Sequence, residues 1–246
     1  MALARLLSRG QRGMDAYEVI AEVYLTGGLP SFTISGLPAA AVRDSRDRVR
    51  AALQTLGSPI PPSRITAHLG PADIPKEGGR FDLAIAIGVL MADKGHSWQT
   101  DKAEFIGELA LSGELRPVQG ALPAVLAARD AGRAVIIPAG NAPEAALVDD
   151  AMILPVSELA DVIAHLDGSA TLKPVPRAEA PCGLNGAPEL ADVHGQTLGR
   201  NRLEETAVQG APSQRLVGHT RRWGQPATAR RDFTGASRRP VSGRAT

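Results

Sequence analysis

The 246-residue chain has a single cysteine, Cys182, and only 3% of its residues are aromatic. One thiol excludes an internal disulfide framework and points to a reducing compartment, the cytoplasm. With so few aromatics, the core must be built from Ala, Val, Ile and Leu, which suits helices laid on sheets. No apolar run approaches the ~20 residues of a membrane helix, so no membrane partner is expected. The opening MALARLLSRG is too short and too arginine-rich to be the apolar part of a signal peptide. His68, His96, His165, His194 and His219 are scattered and join no cysteine or acid at ligand spacing, so no metal site is expected. There is no G-x-S-x-G string, and Ser35 and Ser112 precede glycines as turn residues do.

The charge that is present is unevenly placed. From Gly199 onward, ten arginines face Glu204, Glu205 and Asp232, a local balance of +7 that leaves −6 for residues 1–198. Such blocks divide a folded body from a differently behaved tail. Within the body, Tyr17–Leu25 alternates as a half-buried strand, and Gly27, Gly28 and Pro30 turn it into a second strand at Ser31–Ile34, predicting a hairpin. A helix is expected over Pro38–Leu56, a strand at Ile65–Leu69 and a buried helix at Phe81–Met91. Strands are expected at Phe105–Leu111 and Glu114–Val118, then a helix over Leu122–Ala131 closed by Gly132. A strand at Ala134–Ile137, a short helix at Pro143–Leu147, a strand at Met152–Leu154 and a helix at Ser157–Leu166 capped by Ser157 complete the body. Strands that precede and then alternate with helices make the class α/β or α+β. Thr171–Pro188 is rich in Pro and Ala without periodicity and reads as a linker.

Three stretches carry a family resemblance: GGLPSFTISGLPAAAVRDSRDRVR (27–50) with PADIPKEGGRFDLAIAI (71–87), then GELALSGELRPVQGALPAVLAARDAG (107–132), then ELADVHGQ (189–196). Together they resemble the N-terminal region of ComM/YifB proteins, the Mg-chelatase-like AAA+ family, over roughly residues 1–198. That region is similar to the proteolytic domain of Lon, an α+β fold of the ribosomal protein S5 domain 2 type. The resemblance implies a Lon-like domain at 1–168, a linker at 169–188, the start of an AAA+ domain at 189–198 and a basic tail at 199–246. In the family, hexameric motors that use ATP and Mg act on branched DNA in transformation and recombination, so a homo-oligomer and branched or single-stranded DNA are the partners the resemblance implies.

Lon-type chemistry needs a serine hydroxyl and a lysine amine desolvated enough to act as base. Here Lys76-Glu77-Gly78-Gly79-Arg80-Phe81-Asp82 takes the place of the nucleophile loop, without a hydroxyl or thiol. The hairpin at Gly107–Gly120 fixes the register of the residues after it, and the lysine position falls on Leu122. No catalytic residue is therefore expected, and a residual peptidase is the rival reading. Asp192, Val193, His194, Gly195 and Gln196 match the family's entry into the ATPase domain and are expected as a vestigial nucleotide-binding segment. A P-loop cradles phosphates with glycine N–H groups followed by Lys and Ser/Thr, yet no G-K-[ST] string occurs anywhere in the chain. ATP hydrolysis by this polypeptide, and so any enzyme activity, is not expected. The tail, rich in Arg, Gly, Pro and Ala, departs abruptly from the family, and a frameshift in a longer gene is expected. A real basic arm for nucleic acid is the alternative.

Two basic groups are candidates for phosphate contact. Arg43, Arg46 and Arg50 share one helix face, but Asp44 and Asp47 interleave with Arg43, Arg48 and Arg50 at i,i+3 and i,i+4, as in a solvated, ion-paired surface. Arg64, Lys76 and Arg80 are the better nucleic-acid candidates, because neighbouring glycines let basic side chains reach a backbone. The expected function is a non-catalytic module for ring assembly or DNA contact, with a pure protein-interaction cap as a further alternative.

Overall fold

The computed structural model describes residues 2–96 and 98–176. Its two longest strands, β1 (Ala2–Arg12) and β2 (Asp15–Thr26), form an antiparallel hairpin in unbroken register from Ala2↔Leu25 to Arg12↔Asp15. Gly13, with φ 63°, opens the turn between them. Ala4 and Leu6 of β1 and Val19, Ala21, Val23 and Leu25 of β2 are all buried, as the two-residue period of a strand requires. Sequence pattern alone does not reveal β1, because Leu3 and Leu7 are apolar on its less buried face while Ser8 and Arg9 are polar yet buried.

The hairpin expected between Tyr17–Leu25 and Ser31–Ile34 does not form. β3 (Ser31–Ser35) lies parallel to β4 (Arg64–Gly70), and β4 runs antiparallel along β2, separating the two. β4 offers β2 a seven-residue register with Ile65, Ala67 and Leu69 fully buried, more than the five-residue β3 can match. The helix expected over Pro38–Leu56 divides into α1 (Ala40–Arg43) and α2 (Ser45–Thr55). Pro38 precedes both, held in an extended bridge to Lys76, and the Ala39 N–H donates to the Lys76 carbonyl.

α3 (Asp82–Lys94) is buried nearly all round, as its composition predicts, and packs across β1 and β2. Gly88 permits the approach: a methyl group there would meet Val23 Cγ2 at 2.6 Å and Leu6 Cδ1 at 3.1 Å. Beyond it, the expected strands Phe105–Leu111 and Glu114–Val118 shrink to β5 (Ala103–Phe105), β6 (Glu108–Leu109) and β7 (Leu115–Arg116). Their backbone groups are claimed elsewhere. The N–H of Ile106 donates to Ile136, that of Gly107 to Arg80, and that of Leu115 to Ser157.

The remaining elements match expectation closely: α4 (Ala121–Asp130), β8 (Ala134–Pro138), α5 (Ala142–Ala145), β9 (Ile153–Val156) and α6 (Leu159–Leu166). One cap differs. Glu158, not Ser157, caps α6, in a reciprocal box with Asp161, while the Ser157 carbonyl is engaged by Leu115. The main sheet runs β3-β4-β2-β1-β5-β8-β9, with its β1-to-β9 half parallel, apart from a small β6–β7 ribbon. The class is mixed α/β, consistent with an α+β fold. α3 and α2 fill one cluster with β1, β2 and β4, and α4 fills a second with β8 and α5. Residues 169–176, expected as the start of a linker, still pack on the body, where the Val175 N–H donates to the Ile153 carbonyl at 3.0 Å. No helix among the described residues is long and apolar enough to cross a membrane.

Candidate functional site

The loop that leaves β4 and enters α3 carries Lys76, Gly78, Gly79, Arg80 and Asp82. Lys76 is fully buried, and its ammonium donates to the carbonyls of Ile74, at 2.8 Å, and Pro71. Burial pulls its pKa below the usual lysine range, with Asp73 opposing. A desolvated amine is half of what Ser–Lys chemistry requires. The partners of this one are carbonyls, however, and not a hydroxyl.

Gly79 lies against the Glu108 carboxyl, so any side chain there would have to displace it. Asp82, three residues on, is fully buried and takes a two-pronged bond from Arg48, Nε at 2.6 Å and Nη2 at 3.1 Å. The Leu109 N–H donates to the same carboxyl at 3.1 Å. Arg48 also reaches Ser45 Oγ at 3.0 Å and the Ala41 carbonyl at 3.1 Å. Burial pushes the Asp82 carboxyl up, against the pull of Arg48, Ser45 and Leu109. This knot joins α2, α3 and β6, and sequence spacing could not find it because Arg48 and Asp82 are 34 residues apart. It also corrects the α2 surface. Arg48 turns inward, and Arg46 pairs with its neighbour Asp47 at 3.1 Å rather than across a helical turn.

At the position where the resemblance places a lysine, Leu122 is half-buried on the α4 cluster, and its N–H donates to Glu144 Oε1 at 3.1 Å. Arg80 lies between this region and the β1–β2 hairpin. It is nine-tenths buried, and its Nη2 donates to Gln11 Oε1 at 3.1 Å and to the Gln119 carbonyl. Burial lowers its pKa from the ordinary arginine value, opposed by Tyr17.

The three basic candidates are not brought together. Arg64 is exposed at the start of β4, whereas the loop carrying Lys76 and Arg80 leaves from the other end, roughly 20 Å away at strand rise. A cleft of about 260 Å³ lined by Pro30, Arg50, Gln54, Pro59, Ile60 and Ser63 sits at the Arg64 end, away from the loop. Asp192, Val193, His194, Gly195 and Gln196 lie outside the described residues. Among the described residues, no group of three or more His, Cys, Asp or Glu side chains is arranged to hold a metal ion.

Sequence reasoning also missed a second buried charge cluster. Glu104, fully buried in the middle of β5, receives Arg9 through Nε at 2.8 Å and Nη2 at 2.7 Å, and Arg133 at 3.2 Å. Arg133 continues to Glu18, and Arg9 reaches the Ala127 carbonyl at 3.2 Å. The only hint in the sequence is a pair of charged residues inside otherwise apolar strands.

Residues 21–141 match the family model for subunit ChlI of Mg-chelatase. Competence protein ComM of Haemophilus influenzae is 42% identical over 213 residues, covering 85% of this chain and 42% of the relative. The chain belongs to the ComM/YifB family. The uncharacterized protein YifB of Escherichia coli is 39% identical over 212 residues, covering 85% of this chain and 42% of its own length. An uncharacterized Mycobacterium tuberculosis protein reaches 43% identity over 220 residues, covering 89% of this chain and 43% of its own length. The chain thus spans under half the length of the ComM/YifB relatives it matches. The ChlI match takes in the Lys76–Asp82 loop and Leu122, whereas their partners Gln11 and Glu144 lie outside it.

Proposed function

We propose that residues 1–168 are a Lon-like, non-catalytic N-terminal domain of a ComM/YifB-type AAA+ DNA motor, serving subunit arrangement in a ring or contact with DNA. In this reading residues 189–198 mark the entry to the ATPase domain and the basic stretch from 199 stands apart from it. The observation that carries it is the filling of the dyad region. The Lys76–Asp82 loop offers no hydroxyl, Leu122 offers no amine, and the nearest lysine spends its protons on two carbonyls. The Asp82–Arg48 and Lys76 bonds serve to hold elements together, which is how a scaffold uses buried charge.

The test takes the full chain. Incubation with a fluorophosphonate probe and with casein, without ATP, is expected to give no labelled serine and no cleavage. Labelling at one serine would turn the reading to a residual peptidase. Light scattering is expected to report particles larger than a monomer, and a strict monomer would sink the ring role. Mobility shifts on forked DNA are expected to weaken steeply with salt. Salt-independent or absent binding leaves a protein-interaction cap.

A further inference from the structure

Lys76 and Arg80 are the buried cations without a carboxylate partner among the described residues, and of the two only Arg80 has a buried nitrogen with no partner at all. Arg9 and Arg48 each meet a buried carboxylate, but Arg80 makes no ion pair with any described residue, although only 6% of its surface is exposed. Its two partners, the Gln11 side-chain oxygen and the Gln119 carbonyl, are neutral. Its Nη1 has no partner among the described residues. A guanidinium taken out of water without a counter-charge is costly, and the cost is recovered when an anion joins it.

The surroundings fit an anion. Gln119 leads into α4, whose N-cap, Gly120, sits at φ 68° with no side-chain cap and no acid in the first turn. Pro123 has no N–H and the Leu122 N–H is taken by Glu144, so the Ala121 N–H and the helix dipole are what this start offers an oxyanion. Gln11 is an exposed residue whose side chain lies directly over Gly120, where any Cβ would strike it. Its carboxamide oxygen accepts from Arg80 while its Nε2 donates to the Gly13 carbonyl at 3.0 Å. Glu144, which accepts from Leu122, is the acid already near this helix start.

We propose that Arg80 and the N-terminus of α4 form a phosphate-binding site, and that the Gln11 carboxamide is a removable stand-in covering it. The ligand is a phosphate oxyanion, either free or carried on a nucleic-acid backbone. A phosphate displaces Gln11, which swings out on the β1–β2 hairpin, and takes both the bond that Gln11 held and the idle Nη1. The nucleic-acid source rests on the DNA-contacting reading above; the site itself does not.

The decisive experiment is isothermal titration of the full chain with inorganic phosphate, against chloride at matched ionic strength. Gln11→Ala is expected to bind phosphate more tightly than the wild type. Gln11→Glu, which supplies an internal carboxylate, is expected to lose about tenfold or more and to raise the thermal midpoint. Arg80→Gln removes binding, and the two Gln11 variants keep the proposal testable if that variant does not fold. Equal phosphate affinity in wild type, Gln11→Ala and Gln11→Glu overturns the site. So does an absence of phosphate binding combined with a change of oligomeric state in Gln11→Glu, which would assign Arg80 to a carboxylate of a second copy. Displacement of bound phosphate by single-stranded DNA identifies the backbone as source, and no displacement identifies a free phosphate ligand. Phosphate binding without any DNA binding would retain the site while removing the DNA-contacting function.

Discussion

Asp82 shows how one side chain decides whether a loop is reactive or structural. Its carboxyl is shared by Arg48 and the Leu109 N–H, so Asp82→Ala leaves a half-enclosed guanidinium without its counter-charge, held only by Ser45 and the Ala41 carbonyl. A loss of about 3–5 kcal/mol is expected, read from the urea midpoint, and a change within measurement error would show that the knot holds nothing. Tyr17 gives a test by titration. Its phenol donates to the Pro75 carbonyl at 2.9 Å, and burial raises its pKa above the ordinary value of 10.0. The phenol's contribution to stability is therefore complete below pH 10 and lost as pH rises through the raised pKa. In an ultraviolet titration of tyrosinate, Tyr17→Phe is expected to remove the later-ionising fraction; removal of an earlier one would contradict the burial. At this scale little was legible in advance. The apolar identity of Leu122 and the missing hydroxyl could be read from the chain, but Arg48, Gln11 and Glu104 acquire their roles only from partners brought near by folding.

Helices and strands were easier, and the failures have a common cause. Where one element owns its hydrogen bonds, periodicity located it: β2, β4, α3, α4 and β8 lie within a few residues of the pattern. Where backbone groups are shared among segments, pattern overstated the element. Phe105–Leu111 and Glu114–Val118 lose residues to bonds with Ile136, Arg80 and Ser157, and Pro38 is drawn off its helix by Lys76. The false hairpin of β2 and β3 came from proximity in sequence, which says nothing of a better partner thirty residues later. Gly88 tests the tightest of these contacts. Alanine there gains helix propensity of about 1 kcal/mol yet drives a methyl into Val23 and Leu6, so net destabilisation of about 1–3 kcal/mol is expected in thermal or urea unfolding. A stabilised variant would mean that the helix can lift from the sheet.

For the whole molecule, the order of strands matters more than their number. Four strands, β3, β4, β2 and β1, are contributed by the first seventy residues, and β5, β8 and β9 by residues after 102. The two groups meet only along β1 and β5, where the register consists of Leu7 opposite Glu104. Arg9 and Glu104 clamp that line, so Glu104→Gln is expected to lower stability by about 3–5 kcal/mol and to show in hydrogen exchange as early opening of β5, β8 and β9. Uniform exchange across both groups would refute a weak line there.

That seam has a bearing on how the protein is made. A ribosome that has delivered residue 100 has already released everything needed for the four-strand half and its α3 cover, while Arg9 still waits for its carboxylate. Arg9 of β1 therefore has no ion-pair partner at Glu104 until that residue emerges and the second half docks.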